Sequence, residues 1–101
     1  MAVQLLLEKG AYVEAHCDKG TVLTVAALYG WEGTVKVLLE KKANMEARNK
    51  CGSTPFIVAA VNGYIRIVQL LLEKGANIEG RDNEGNTALM SAARHERAMM
   101  V

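Results

Sequence analysis

Cys17 directly follows His16, and a thiol beside an imidazole is the minimal pairing of a nucleophile with its base. The stretch around them is polar and turn-rich and reads as extended chain, where adjacent side chains leave on opposite sides, so the base points away from the thiol. His95, the other histidine, lies far along the chain in a helical segment, which leaves no shared metal site. Cys17 and Cys51 form no CxxC pair and have no histidine at zinc spacing. The glycine-containing stretches Gly30-Trp31-Glu32-Gly33-Thr34 and Gly80 to Gly85 lack the strand, glycine and lysine order of a phosphate loop. We therefore expect no catalysis, no metal and no cofactor.

Length and composition restrict the alternatives. The 101 residues make one small domain, half of them hydrophobic and 23% charged, which is the balance of a globular chain rather than a disordered one. Twelve Lys and Arg against eleven Asp and Glu leave a formal charge of +1, far from the basic excess that nucleic-acid backbones attract, so nucleic acid is not expected as a partner. The longest uncharged stretch, Cys51 to Ile65, is interrupted by Gly52, Pro55, Asn62 and Gly63 and falls short of the roughly 20 apolar residues of a membrane span. Residues 1–7 have no basic start and no small-residue cleavage site, and two unpaired thiols suit a reducing compartment, which together imply an intracellular location, cytoplasmic or nuclear.

A repeat organises the whole chain. Val3-Gln4-Leu5-Leu6-Leu7-Glu8-Lys9-Gly10-Ala11 recurs as Val68-Gln69-Leu70-Leu71-Leu72-Glu73-Lys74-Gly75-Ala76, with a looser copy from Val35 to Ala43 between them, at offsets of 32 and 33 residues. A second block, Gly52-Ser53-Thr54-Pro55-Phe56-Ile57-Val58-Ala59-Ala60, recurs as Gly85-Asn86-Thr87-Ala88-Leu89-Met90-Ser91-Ala92-Ala93. Its earlier copy, from Gly20 to Ala27, is one residue shorter. Thr54 is a good helix N-cap and Pro55 suits the first helical position, which needs no donor. That helix runs to about Asn62, its Ala59 and Ala60 allow close helix approach, and Gly63 ends it. The next helix begins near Tyr64. Ile65, Val68, Leu71 and Leu72 then fall on one expected buried face, with Arg66, Gln69 and Glu73 elsewhere. Gly75 is a left-handed stop. The polar run from Ala76 to Gly85 is an extended, turn-containing finger leading to the next cap, Thr87. A helix pair with one apolar face buries it only by stacking on copies of itself.

These units, with G-x-T-P-x-x-x-A-A, a glycine between the helices and V-x-L-L-L-x-x-G-A, resemble the ankyrin repeat over essentially all 101 residues. The resemblance implies an all-α repeat solenoid in which stacked antiparallel helix pairs are joined by β-turn or hairpin fingers. It divides a single domain into a partial repeat at 1–17, repeats at 18–49 and 50–82, and a partial repeat at 83–101. Where the family has His in T-P-L-H, this chain has Thr24, Ile57 and Met90, so the loop hydrogen bonds supplied by that His are missing or replaced. Lys42 takes the slot of Gly10 and Gly75, and a positive φ there would cost on the order of 1 kcal/mol relative to glycine. The missing residue ahead of Thr21 should tighten or distort the first finger. Residues 1–10 match a second helix with no first helix before it, and residues 87–101 a first helix plus the start of a second. Val3, Leu6 and Leu7 at one end and Met90, Met99, Met100 and Val101 at the other are apolar where terminal units normally turn a polar face outward. The chain thus reads as a fragment of a longer natural array.

The resemblance also implies a non-catalytic protein–protein interaction scaffold, with a protein or peptide held on the concave surface of fingers and first helices. Carried over by repeat frame, that surface comprises Asp18 and Lys19, then Arg48, Lys50, Cys51 and Ser53, then Arg81, Asn83, Glu84 and Asn86 on the fingers. The first helices add Leu28, Tyr29, Val61, Asn62, Arg94 and His95. Tyr29 is the expected anchor, and Arg48 and Arg81, one repeat apart, are expected to offer guanidinium groups to an acidic partner. Trp31, at the inter-helix turn, is read as structural. The alternative function is a self-assembling structural element that stacks head to tail through its ends, because heterologous contacts that do not close make open assemblies.

Overall fold

The Thr54 hydroxyl accepts the Ile57 amide at 3.3 Å, and Pro55 follows it at the first helical position. This cap sets the pattern of a stack seen in a computed structural model that describes residues 2–99. Six helices and one two-stranded hairpin are present among those residues: α1 (Ala2–Glu8), β1 (His16–Cys17), β2 (Gly20–Thr21), α2 (Val22–Tyr29), α3 (Glu32–Glu40), α4 (Pro55–Val61), α5 (Ile65–Glu73) and α6 (Ala88–Met99). Met100 and Val101, named above as part of an apolar end, lie outside the described residues.

The helices form two rows. First helices α2, α4 and α6 pack in succession, and second helices α1, α3 and α5 form the row behind them. Ala26, Ala27 and Ala59 are fully enclosed, the small side chains that let neighbouring helix backbones approach. Leu23, Val35, Leu38, Phe56, Ile57, Ile67 and Leu71 fill the continuous core between the rows. Gly30 and Gly63 turn each first helix back toward its partner with φ of 77° and 72°. Gly75 ends α5 at φ 92°, and Lys42 occupies the corresponding left-handed position at φ 63°.

Two expectations about the helices need correction. The buried face of α5 is built on Ile67 and Leu71, with Val68 and Leu70 partly covered, whereas Ile65 and Leu72 are exposed. Ile65 stands at the first position after the Tyr64 cap, and Leu72 corresponds to the buried Leu39 of α3. The difference follows from neighbours: α3 lies between α1 and α5, while α5 has α3 on one side only among the described residues. The end of the chain differs as well. Instead of a first helix and the start of a second, α6 runs unbroken through residue 99. Glu96 stands where Gly30 and Gly63 stand in the earlier repeats, and a good helix former, for which positive φ is costlier than for glycine, carries the helix on.

The fingers take two forms. The first, shorter by one residue, closes as a true hairpin, with His16 opposite Thr21, Cys17 opposite Gly20, and Asp18-Lys19 as its two-residue loop. The second and third close through Asn49 and Asp82 amides donating to the Ser53 and Asn86 carbonyls, each at 3.0 Å. Side chains complete those turns. Asn49 Oδ1 accepts the Cys51 and Ser53 amides at 2.9 and 3.0 Å, and Asp82 Oδ1 accepts those of Glu84 and Asn86, both at 2.9 Å. These Asx turns supply finger hydrogen bonds in a chain without the family's histidine. In the first repeat the buried Thr24, in that histidine's place, sits 3.4 Å from the Thr21 hydroxyl.

Candidate partner-binding surface

Tyr29 is the last residue of α2, and the left-handed Gly30 brings Trp31 back alongside it. The two rings lie 5.5 Å apart, tilted by 32°, and both are about half exposed. Lys19, at the tip of the first finger, reaches across to donate to the Tyr29 hydroxyl, and its ammonium stands 5.1 Å from the centre of that ring. This hydrogen bond holds the Lys19 ammonium above the ordinary lysine range. Behind the pair, Tyr64 lies so close to Gly30 that a Cβ there would come within 3.0 Å of its ring. Asp18 is exposed beside Lys19, and Leu28 is half-buried.

Arg48 and Arg81 spend their guanidinium groups on the fingers. Arg48 Nε donates to the Gly52 carbonyl at 2.8 Å and its Nη2 to the Arg81 carbonyl, while Arg81 Nη1 donates to the Gly85 carbonyl at 2.7 Å. Asn83 adds a second tie between fingers, with its side-chain amide on the Lys50 carbonyl at 2.9 Å and its backbone amide on the Cys51 carbonyl at 3.0 Å. Cys51 is an exposed free thiol and Ser53 is half-buried. Further along, Val61, Glu84, Asn86, Arg94 and His95 come together around one open recess of about 370 Å³, joined by Asp82, Ser91 and Ala98. Within it Arg94 donates to Asn86 Oδ1 at 3.2 Å. Asn62, also exposed, turns its amide back onto the Val58 carbonyl at 2.8 Å. A larger recess, about 540 Å³, is elsewhere, at the ends of α3 and α5 among Leu39, Glu40, Lys42, Ala43, Met45 and Lys74, and includes none of the expected partner-binding residues.

The family model for ankyrin repeats, which describes three copies of the unit, matches residues 1–82 and again residues 33–101. The chain belongs to the ankyrin repeat family. No curated protein matches it. Ankyrin repeats are generally protein–protein interaction modules and typically non-catalytic. No helix among the described residues is long and apolar enough to cross a membrane.

This ankyrin stack therefore groups the expected residues into three places: the Lys19–Tyr29 corner, the tied second and third fingers, and the recess beside α6. Trp31, read from the sequence as structural, stands at the inter-helix turn as the N-cap of α3, half-exposed and against the Tyr29 ring. The usable signal was Tyr64, one repeat on, which shows that the position accepts a large ring. Asp82 and Ser91 were missed because their role in the recess depends on how the third finger folds against α6, a contact no local pattern encodes.

Proposed function

We propose that this protein is a non-catalytic scaffold that binds a protein or peptide partner across its fingers and first helices, anchored at Tyr29, Trp31 and Lys19. The exposed aromatic pair carries the proposal: two large rings held on a rigid helix end offer contact area at small entropic cost, the usual make-up of a binding hot spot. Lys19 sets the chemistry of the ligand. A segment that lays an apolar or aromatic side chain on the Tyr29–Trp31 pair brings a neighbouring carboxylate to the ammonium. Lys50 and Arg94 extend the basic character along the stack, while Asp18 and Glu84 punctuate it.

The test is a displayed random-peptide library selected against the chain, with the recovered peptides measured on variants. Tyr29→Ala is expected to weaken binding by at least about tenfold, and Lys19→Ala to weaken it severalfold while flattening its salt dependence. Peptides indifferent to both substitutions would place the binding surface elsewhere.

A further inference from the structure

We propose that the recess at the ends of α3 and α5 is a second docking site, for an acidic partner segment that lays an apolar side chain between Lys42 and Lys74. It goes beyond the surface of fingers and first helices and does not depend on it, because these residues stand at the ends of second helices. The recess lies where the helix pair α2–α3 meets the helix pair α4–α5, so its walls come from two complete pairs in the middle of the chain.

Lys42 is the first observation. It is held at φ 63°, whereas Gly10 and Gly75 hold the same place in the neighbouring repeats at φ 97° and 92°. Glycine takes this conformation readily, but a side chain there brings its Cβ against the following carbonyl. A residue kept at such a cost points to function when its side chain gives the fold nothing in return. Among the described residues the Lys42 ammonium donates no hydrogen bond, and the one ion pair joins Arg66 to Glu32. The exposed Lys42 side chain instead lines the recess of about 540 Å³, together with the equally exposed and unpaired Lys74. Neither ammonium is needed to cap a helix. The last carbonyls of α3 and α5, those of Leu38, Leu39, Leu71 and Leu72, already accept backbone amides from Lys41 to Ala43 and from Lys74 to Ala76.

The rest of the lining sets the chemistry of the occupant. Leu39 and Ala43 are almost wholly buried and Met45 is half-buried, and the thioether chain of Met45 adapts to what it meets. Glu40 also lines the recess and lies within ion-pair distance of neither lysine, so two cations against one carboxylate leave the lining positive. A segment whose apolar side chain is flanked by carboxylates matches both features, with the apolar group against Leu39, Ala43 and Met45 and a carboxylate toward each lysine. A basic segment meets like charges there. At the junction of α1 and α3, Gly10 stands in the place of Lys42, which leaves Lys41 as the one lysine at the corresponding positions. The pairing of two lysines across an apolar lining is therefore particular to the junction of α3 and α5.

The test is an NMR titration of the isotope-labelled 101-residue chain with the synthetic peptide acetyl-Glu-Asp-Leu-Phe-Asp-Glu-amide. Saturating shifts are expected at the Leu39, Ala43 and Met45 amides, with a dissociation constant on the order of a few hundred micromolar. Replacing Leu and Phe of the peptide by Ser, or its four acids by Lys, should each weaken binding at least about fivefold. Lys42→Ala and Lys74→Ala should each weaken it severalfold. Lys42→Ala keeps a Cβ in the left-handed position and should leave the urea midpoint unchanged, which separates a binding role from a structural one. Absence of any shift at the recess, equal affinity for the lysine peptide, or an unaltered constant for Lys42→Ala would overturn the proposal and leave the reading of the Tyr29 surface standing. A midpoint lowered by Lys42→Ala would overturn it too, because the side chain would then serve the fold.

Discussion

The first finger and the two that follow it reverse the chain at the same point of the repeat with different parts. The first closes by backbone pairing through its two-residue loop, and its Lys19 is free to reach Tyr29. The second and third hold one extra residue each, close through Asn49 and Asp82, and are tied to one another by Arg48 and Asn83. At the Arg48 position the first finger has His16, and at the Asn49 position it has Cys17, neither of which makes the corresponding bond. The comparison teaches that deletion of one residue does more than shorten a loop. It exchanges a finger braced by its neighbour for one whose tip side chain is available to a surface.

The largest effect should come from crowding the tie between the fingers. Gly52 has φ 79°, and a Cβ there would lie 2.3 Å from Asn83 Oδ1 and 2.6 Å from the Asn83 backbone nitrogen. Gly85, one repeat on, has φ 83° and open space around it. Both alanine substitutions meet the left-handed penalty, and only the first also displaces Asn83. We expect Gly52→Ala to cost about 3 kcal/mol and Gly85→Ala about 1 kcal/mol in urea unfolding with unchanged slope. Equal losses would mean that the third finger moves aside freely and that the tie contributes little.

Much of this was legible in the sequence, for reasons that are local. Thr54 and Pro55 announce a helix start, Gly75 announces its end, and Lys42 takes the left-handed conformation that its repeat position requires, since such positions depend on a few neighbouring residues. The buried side of α5 was only half legible. Periodicity marks a stripe, but which edge of it is covered depends on what packs outside, and Leu72 lacks the neighbour that Leu39 has. The candidate surface was the least legible part. Arg48 and Arg81 have the composition of a binding pair, yet each has carbonyl acceptors within its own finger, and a long flexible cation takes the nearest acceptor.

A smaller effect isolates the brace itself. Arg48→Ala removes donors to Gly52 and Arg81 and leaves both carbonyls to water, so about 1 kcal/mol should be lost. His16→Ala at the same position of the first finger should stay within about 0.5 kcal/mol. The same unfolding experiment reads both, and a matching loss at His16 would place an unseen brace on the first finger and erase the contrast.

The smallest effect separates the second finger from the third, whose closing side chains differ by one atom type. Asn49 closes the second finger with an amide, and Asp82 closes the third with a carboxylate. The Asn86 amide holds that carboxylate below its ordinary value of 3.8, with the Glu84 amide, the Asn86 side chain and the charge of Arg94 adding to it against partial desolvation. Because the folded state binds its proton less readily than the unfolded chain, stability rises with pH through this window. The contribution is fully present above 3.8 and is lost as pH falls through the lowered value. Amide exchange followed by NMR from about pH 5 to about pH 2 should show Glu84 and Asn86 losing protection, relative to intrinsic rates, while Cys51 and Ser53 keep theirs. Asp82→Asn should remove the difference, since the third finger then carries the same non-titrating acceptor as the second. An acid response of equal size in both fingers would mean that they open as one unit through the Arg48 and Asn83 ties, making the brace between fingers stronger than the turn within each.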